Sequence, residues 1–191
     1  MDSRLSFELI AVVVLIAANG FFVLAEFAII ASRKTKLKQK VEEGKPGAVA
    51  ALRLHDKPDS FLATIQVGIT LVGALVGVFS GATIVERLQM FLAGCGVDFF
   101  SRWAEPLAVA TVVISITMLT VVLGELVPKY IALSYPERYA RLIARPIQLF
   151  VSVTYVMAAF LGGISRRIVR ILGIRQRSLQ TIVNEDEINH M

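Results

Sequence analysis

Two carboxylates sit well inside the apolar spanning stretches. Glu26 lies within the stretch 7–31, and Glu125 lies at the end of the stretch 106–124. An ionisable group at the centre of a bilayer costs at least about 2.5–3.5 kcal/mol, so one that persists there has a task or a partner. Glu26 precedes Arg33 by seven residues, roughly 10 Å inside that charge at 1.5 Å of rise per residue. Glu125 precedes Lys129 by four, about 6 Å by the same rise. Both carboxylates therefore reach the same third of a membrane. Thr64, Gln66 and Thr70 stand at comparable depths on the stretch 60–84, and Asn19 shares a helix face with Glu26 at i, i+7. Oxygen ligands converging from three helices suit a hard cation such as Mg²⁺ or Na⁺. Around Glu125 the order Gly124-Glu125-Leu126-Val127-Pro128-Lys129 adds a second signal. Pro128 lacks an amide donor and frees the carbonyl of Gly124, four residues back. Helices broken in this way expose carbonyls to ions. The plainer role for either carboxylate is an interfacial pair with a nearby Lys or Arg. For Glu125 the Gly–Pro setting favours the ion site, and for Glu26 both roles stand.

Other chemistry is poorly served. His55 and His190 lie outside the apolar stretches, and no metalloprotease helix, nucleophile elbow or phosphate-binding glycine loop appears. No nucleophile and base stand at one depth. The reading is not an enzyme, with no prosthetic group.

The elements that must hold these carboxylates follow from hydropathy. Of 191 residues 55% are apolar and only 18% charged, against about a quarter charged in a soluble domain. Mean hydropathy is +0.68. Four stretches, 7–31, 60–84, 106–124 and 146–164, approach or exceed the roughly 20 residues that cross a bilayer. Disorder and a disulfide scaffold are excluded by this apolar content and by the single Cys95, to which no role is given. The chain reads as an all-α integral membrane protein.

Charge placement sets the expected topology. Eight of the 20 basic residues fall between the first two stretches, from Arg33 to Lys57, and only Arg87 and Arg102 fall in the loop 86–105. By the positive-inside rule the first of these segments is cytoplasmic and the loop 86–105 outside, with the N-terminus outside and the C-terminus cytoplasmic. A spanning fourth stretch would strand five arginines, Arg166 to Arg177, on the outer side. Gln148, Ser152 and Tyr155 also draw a polar stripe along it. We therefore expect three spans and an in-plane or re-entrant belt helix over 146–164. Between the first two spans, Gly44-Lys45-Pro46-Gly47 separates two short amphipathic helices whose basic faces meet anionic lipid headgroups or a soluble domain. Basic residues that flank apolar segments point to lipid, and nucleic acid is not an expected partner. Gly73, Gly77 and Gly81 form a double G-x-x-x-G ladder for close helix approach, within a protomer or between two. The aromatics Phe99, Phe100 and Trp103, with Tyr130, Tyr135 and Tyr139, read as belts at the two interfaces.

Four blocks together carry a likeness: N-G-F-F-V-L-A-E-F-A (19–28), P-D-S-F-L-A-T-I-Q-V-G-I-T-L (58–71), L-G-E-L-V-P-K (123–129) and P-E-R (136–138). They resemble the transmembrane domain of the CNNM/CorC family, whose bacterial members are labelled hemolysin-like or magnesium and cobalt efflux proteins. The likeness covers roughly residues 5–180. It implies three spanning helices, a short helical pair, a juxtamembrane belt helix and a homodimer. It also implies cytoplasmic CBS modules that bind nucleotide. None lies within these residues, so we expect a transmembrane domain over 1–177, a linker beginning at 178–191, and a chain cut short ahead of the CBS modules. The resemblance implies an inward-facing Mg²⁺ site, with export coupled to Na⁺ entry, to which Glu125, the Gly124 carbonyl and Gly68 would belong; in our reading the Gly68 carbonyl, Thr70 and Glu26 line the same cavity. Ala31 and Ile69 stand where magnesium-binding members carry Ser and Asn.

The expectation is thus a homodimeric Mg²⁺ efflux module, coupled to Na⁺, in a bacterial or archaeal cell membrane. The alternative is a non-transporting membrane anchor that dimerises CBS sensor domains.

Overall fold

The structure, a computed structural model, describes residues 3–79, 82–96 and 98–171. Gly81 and the expected linker 178–191 lie outside the described residues. Among the described residues three helices are long and apolar enough to cross a membrane: Leu5–Ala31, Pro58–Ala93 and Ala104–Ser134.

The central element is α1 (Ser3–Ala31), 29 residues with no acidic side chain in its first turn and no basic one in its last. A run of this hydropathy satisfies every backbone group internally, which lipid demands. Two short helices follow, α2 (Lys34–Glu42) and α3 (Ala48–His55), separated by the Gly-Lys-Pro-Gly turn. Within α2 the Lys, Gln and Glu side chains favour helix, and Leu37 is its buried anchor. α3 is alanine-rich and buries Ala48, Ala50, Ala51 and Leu54. Lys34 to Asp56 at 2.7 Å ties the two ends of the pair together.

Pro58, at the first position of α4 (Pro58–Phe79), needs no amide partner there. α5 (Ala82–Ala93) and α6 (Asp98–Arg102) occupy most of the segment expected to be a loop over 86–105. α5 turns its less exposed residues Ile84, Val85, Leu88 and Leu92 away from solvent and packs along α7 (Ala104–Val121). That burial is a tertiary gain that hydropathy over a single window does not register.

The third span is longer than the apolar stretch 106–124. α7 leads into a π-helical turn (Val122–Leu126) and on into α8 (Val127–Ser134) without a break. The final helix, α9 (Pro136–Ile171), opens on proline with Glu137 in its first turn, a favourable pairing of N-terminal proline and helix dipole. It begins ten residues before the expected belt segment 146–164 and carries Pro146 inside it. Lys36 reaches Glu137 at 3.5 Å and fastens α2 to this start.

The core lies at the basic end of the bundle. Ala25, Ala28 and Ile29 of α1 meet Leu37, Ala50, Ala51 and Leu54 of the helical pair. Phe61 and Ile65 of α4, Ala132 of α8, and Ala140, Ile143, Ala144 and Ile147 of α9 complete the cluster. So many alanines let backbones approach closely, which is how helices associate where lipid is as apolar as leucine. Phe61 is the largest fully buried side chain.

Candidate cation site

α1 is flanked by α4 on one side and by the π turn and α8 on another. The second contact is intimate. A methyl group built on Gly20 would stand 3.0 Å from the Pro128 ring and 3.2 Å from the Leu123 carbonyl. One built on Gly124 would stand 3.2 Å from the Asn19 amide nitrogen. Side chains at either glycine would push α1 off the third span.

This contact changes the fate of the carbonyl that Pro128 frees. The helix does not break at Pro128. It widens, with the Val127 amide bonded five residues back to Val122, and then continues. The Gly124 carbonyl accepts a hydrogen bond from Asn19 Nδ2 at 3.1 Å, buried between the helices. A widened turn of this kind lets a proline pass without kinking the helix and is frequent at functional sites. One lone pair of the Gly124 carbonyl is left beyond the bond to Asn19.

Asn19→Ala removes the side-chain amide that α1 brings to that carbonyl. A buried carbonyl without a donor costs about 1–3 kcal/mol, and membrane hydrogen bonds measure at most about 1.7. We expect the thermal unfolding midpoint in detergent to fall by an amount equivalent to about 1–2 kcal/mol. An unchanged midpoint would mean that the bond is idle.

The π turn places Glu125 nine residues before the end of its span, about 14 Å along the axis and deeper than the apolar stretch implied. Glu125 is exposed on the protomer surface, and Glu26 of α1 is half-buried. Glu26 stands within electrostatic reach of Glu125 and of Lys129. Lys129 places its ammonium 4.6 Å from the centroid of the Phe27 ring. Two carboxylates, one ammonium and an aromatic face thus share one locality between α1 and the third span. Among the described residues no three His, Cys, Asp or Glu side chains gather as a protein-only metal cage would need.

The α4 residues are placed differently. Gly68 is buried beneath Phe22, whose ring atoms lie 2.9 Å from where a β-carbon would stand. That ring also meets Phe150 of α9, with centroids 4.8 Å apart. Thr70 and Gln66 are exposed, and Thr64 is fully buried with its hydroxyl bonded to the Ser60 carbonyl at 2.9 Å. Ile69 packs against the core, while Ala31 is followed by buried Ser32, whose hydroxyl donates to the Ile29 carbonyl at 2.7 Å. Among the described residues nothing lies within 4 Å of a methyl group built on Gly73 or Gly77.

Sequence reasoning passed over three polar groups. Glu8 is 9% exposed at the opposite end of α1 and accepts a hydrogen bond from Thr83 Oγ1 at 2.6 Å. Its signal is a glutamate one residue inside the first apolar stretch. Thr120, five residues before Glu125, has a buried hydroxyl with no hydrogen-bond partner among the described residues. Asn19 was visible as a polar residue in phase with Glu26, but its bond to Gly124 joins residues 105 apart and left no trace in local spacing.

The chain has clear relatives. It is 38% identical over 185 residues to a UPF0053 protein of Synechocystis sp., covering 97% of this chain and 41% of that protein. It is 34% identical over 179 residues to a protein of Mycobacterium tuberculosis named as uncharacterized, covering 93% and 50%. It is 27% identical over 179 residues to the polyamine export protein of Escherichia coli, covering 94% and 39%. The chain therefore spans half or less of the length of these relatives. The family model for the Cyclin M transmembrane N-terminal domain matches residues 9–191. With its three membrane-crossing helices, this chain belongs to the CNNM transmembrane-domain family.

Proposed function

We propose that this chain is the membrane-crossing module of a cation exporter, with Glu26 and Glu125 as the pair that receives the cation. The observation that carries the reading is the pair itself: two carboxylates from different spans, within electrostatic reach, in segments where each is costly. Mg²⁺ is the proposed cargo, exchanged for entering Na⁺. Two carboxylates and the free lone pair of the Gly124 carbonyl would bind it with several of its waters retained, as Mg²⁺ prefers. The basic end faces the cytoplasm under the positive-inside rule, so the pair opens inward and the N-terminus lies outside. α9 lies along the membrane plane there. Two copies associate in a bacterial or archaeal cell membrane. CBS modules that bind nucleotide would be supplied by sequence beyond this chain.

A second cargo has its own support. Lys129 already holds an alkylammonium against Phe27 beside the carboxylate pair, a geometry that an organic polycation would reproduce. One relative is named a polyamine export protein.

Liposomes holding the protein, loaded with Mg²⁺ or with spermidine, test both readings. Mg²⁺ flux that requires a Na⁺ gradient supports the first cargo, and spermidine flux without Mg²⁺ flux supports the second. Silence toward both, in this chain and in a full-length relative, would make the module a dimerising anchor for sensor domains.

A further inference from the structure

Away from the carboxylate pair, the basic end carries a cavity of about 330 Å³ between the helical pair and α9. That volume falls at the lower end of the roughly 300–1,000 Å³ typical of small-ligand sites. Lys45, Arg53 and Arg145 line it, with Gln148 and the first residues of α3. None of the three cations forms an ion pair among the described residues, where the bridges run Lys34–Asp56, Lys36–Glu137 and Lys40–Glu43. The Glu43 carboxylate lies beside the turn and is already taken. Lys40 donates to it at 2.7 Å and Gln39 at 3.0 Å, and the Lys40 bond holds its carboxyl below the usual carboxylate range.

The wall of the cavity is as favourable to an anion as its charges. Gly47, Val49 and Ala50, at the N-terminal end of α3, are part of the lining. The first amides of a helix have no carbonyl partner within it, and the helix dipole adds positive potential there. The cavity is also built into the fold. Gly47 is wedged against the Arg141 backbone, and Gln148 Nε2 donates to the Ala50 carbonyl at 3.3 Å, which fixes α3 on α9.

What distinguishes a lipid from a soluble anion is the surface next to the charges. On α9, Arg145 lies between two faces. Gln148, about 60° to one side at 100° per residue, bonds to α3. Leu142, Leu149 and Val153, about 40–80° to the other side, are 71%, 70% and 76% exposed. An anionic group in the cavity therefore sits beside an apolar stripe that runs along the helix, with Leu142 before it and Leu149 and Val153 after it.

We infer that this cavity binds the phosphate of an anionic phospholipid, with the acyl chains laid along Leu142, Leu149 and Val153. Arg145 and Arg53 clamp the phosphate and Lys45 adds charge from the turn. The lipid then fastens the helical pair to α9 at the membrane surface. Free phosphate shares the headgroup chemistry but gains nothing from the stripe.

Native mass spectrometry of the whole chain, released from micelles doped with phosphatidylglycerol or phosphatidylcholine, tests this. The protein should retain phosphatidylglycerol in at least about tenfold excess over phosphatidylcholine, whose phosphate carries a choline ammonium that the three lining cations repel. The double variant Arg53→Gln/Arg145→Gln should lose that preference. A control with the same change in net charge outside the cavity, Lys38→Gln/Arg138→Gln, should keep it. Equal loss in both variants would overturn the site in favour of diffuse surface charge. Equal retention of the two lipids would overturn it as well. An excess of inorganic phosphate should leave the lipid bound, and full displacement by phosphate would show a soluble-anion site and overturn the lipid assignment.

Discussion

Replacing Glu125 by Gln should bring cation flux through reconstituted protein down to that of empty liposomes. The change keeps the shape of the side chain and removes its charge. Contacts between ionised groups and their partners contribute about 1.5–3 kcal/mol each, or roughly 10–100-fold in cation affinity. The loss should exceed that of a carboxylate outside the spans because Glu125 lies about 14 Å from the end of an apolar span, beside a second carboxylate, Glu26. Glu26→Gln should act in the same direction, and the double variant should add little, since one remaining carboxylate already fails to hold the ion. Folding should be indifferent. Glu125 is exposed on the π turn, whereas the packing of that turn rests on Gly124 against Asn19 and Pro128 against Gly20. A thermal midpoint that stays fixed while flux disappears is the expected pair of results. Full flux in Glu125→Gln would sink the assignment of the carboxylate pair.

The three spans were legible because an apolar run of this length has few other fates. The helical pair was legible because a Gly-Lys-Pro-Gly turn cannot continue a helix. Residues 82–93 were less so. Glu86 and Arg87 lower the hydropathy of a segment that nevertheless becomes helix α5 once it can pack along α7. Pro128 misled in an instructive way. A lost amide predicts a break when local hydrogen bonds alone are counted, yet a π turn and a donor from Asn19 absorb the loss. Of the candidate site, Glu26 and Glu125 were readable because charge in an apolar run is rare. Gly68 was not readable in the same way: depth along a helix places it level with the carboxylates, and only the rotation of α4 puts it under Phe22. Glycines in a ladder likewise announce close approach without naming the partner. In this chain the close approaches fall at Gly20, Gly68 and Gly124, while Gly73 and Gly77 meet nothing within 4 Å among the described residues.

Gly47→Ala should be the most damaging single-methyl change in the basic end, and Gly44→Ala three residues earlier should be mild by comparison. Both glycines hold positive φ, 77° at Gly47 and 65° at Gly44, so either alanine costs about 1–2 kcal/mol of left-handed strain. Their surroundings then separate them. A β-carbon at Gly44 meets nothing within 4 Å among the described residues, whereas one at Gly47 would collide with the Arg141 carbonyl oxygen and stand 2.9 Å from its carbon. Backbone of α9 cannot step aside as a flexible side chain would. Either the turn or the helix must move, at a further cost of about 1–3 kcal/mol for overpacking. The displacement would also pull Ala50 away from Gln148 and open the contact of Ala48 and Ala51 with the core. Thermal unfolding in one detergent should therefore show Gly47→Ala falling well below Gly44→Ala, by an amount equivalent to about 1–3 kcal/mol. Equal midpoints would mean that α3 is not seated on α9 in solution. The cavity lined by Lys45, Arg53 and Arg145 depends on that seating, so retention of anionic lipid should fall with the midpoint in Gly47→Ala and survive in Gly44→Ala.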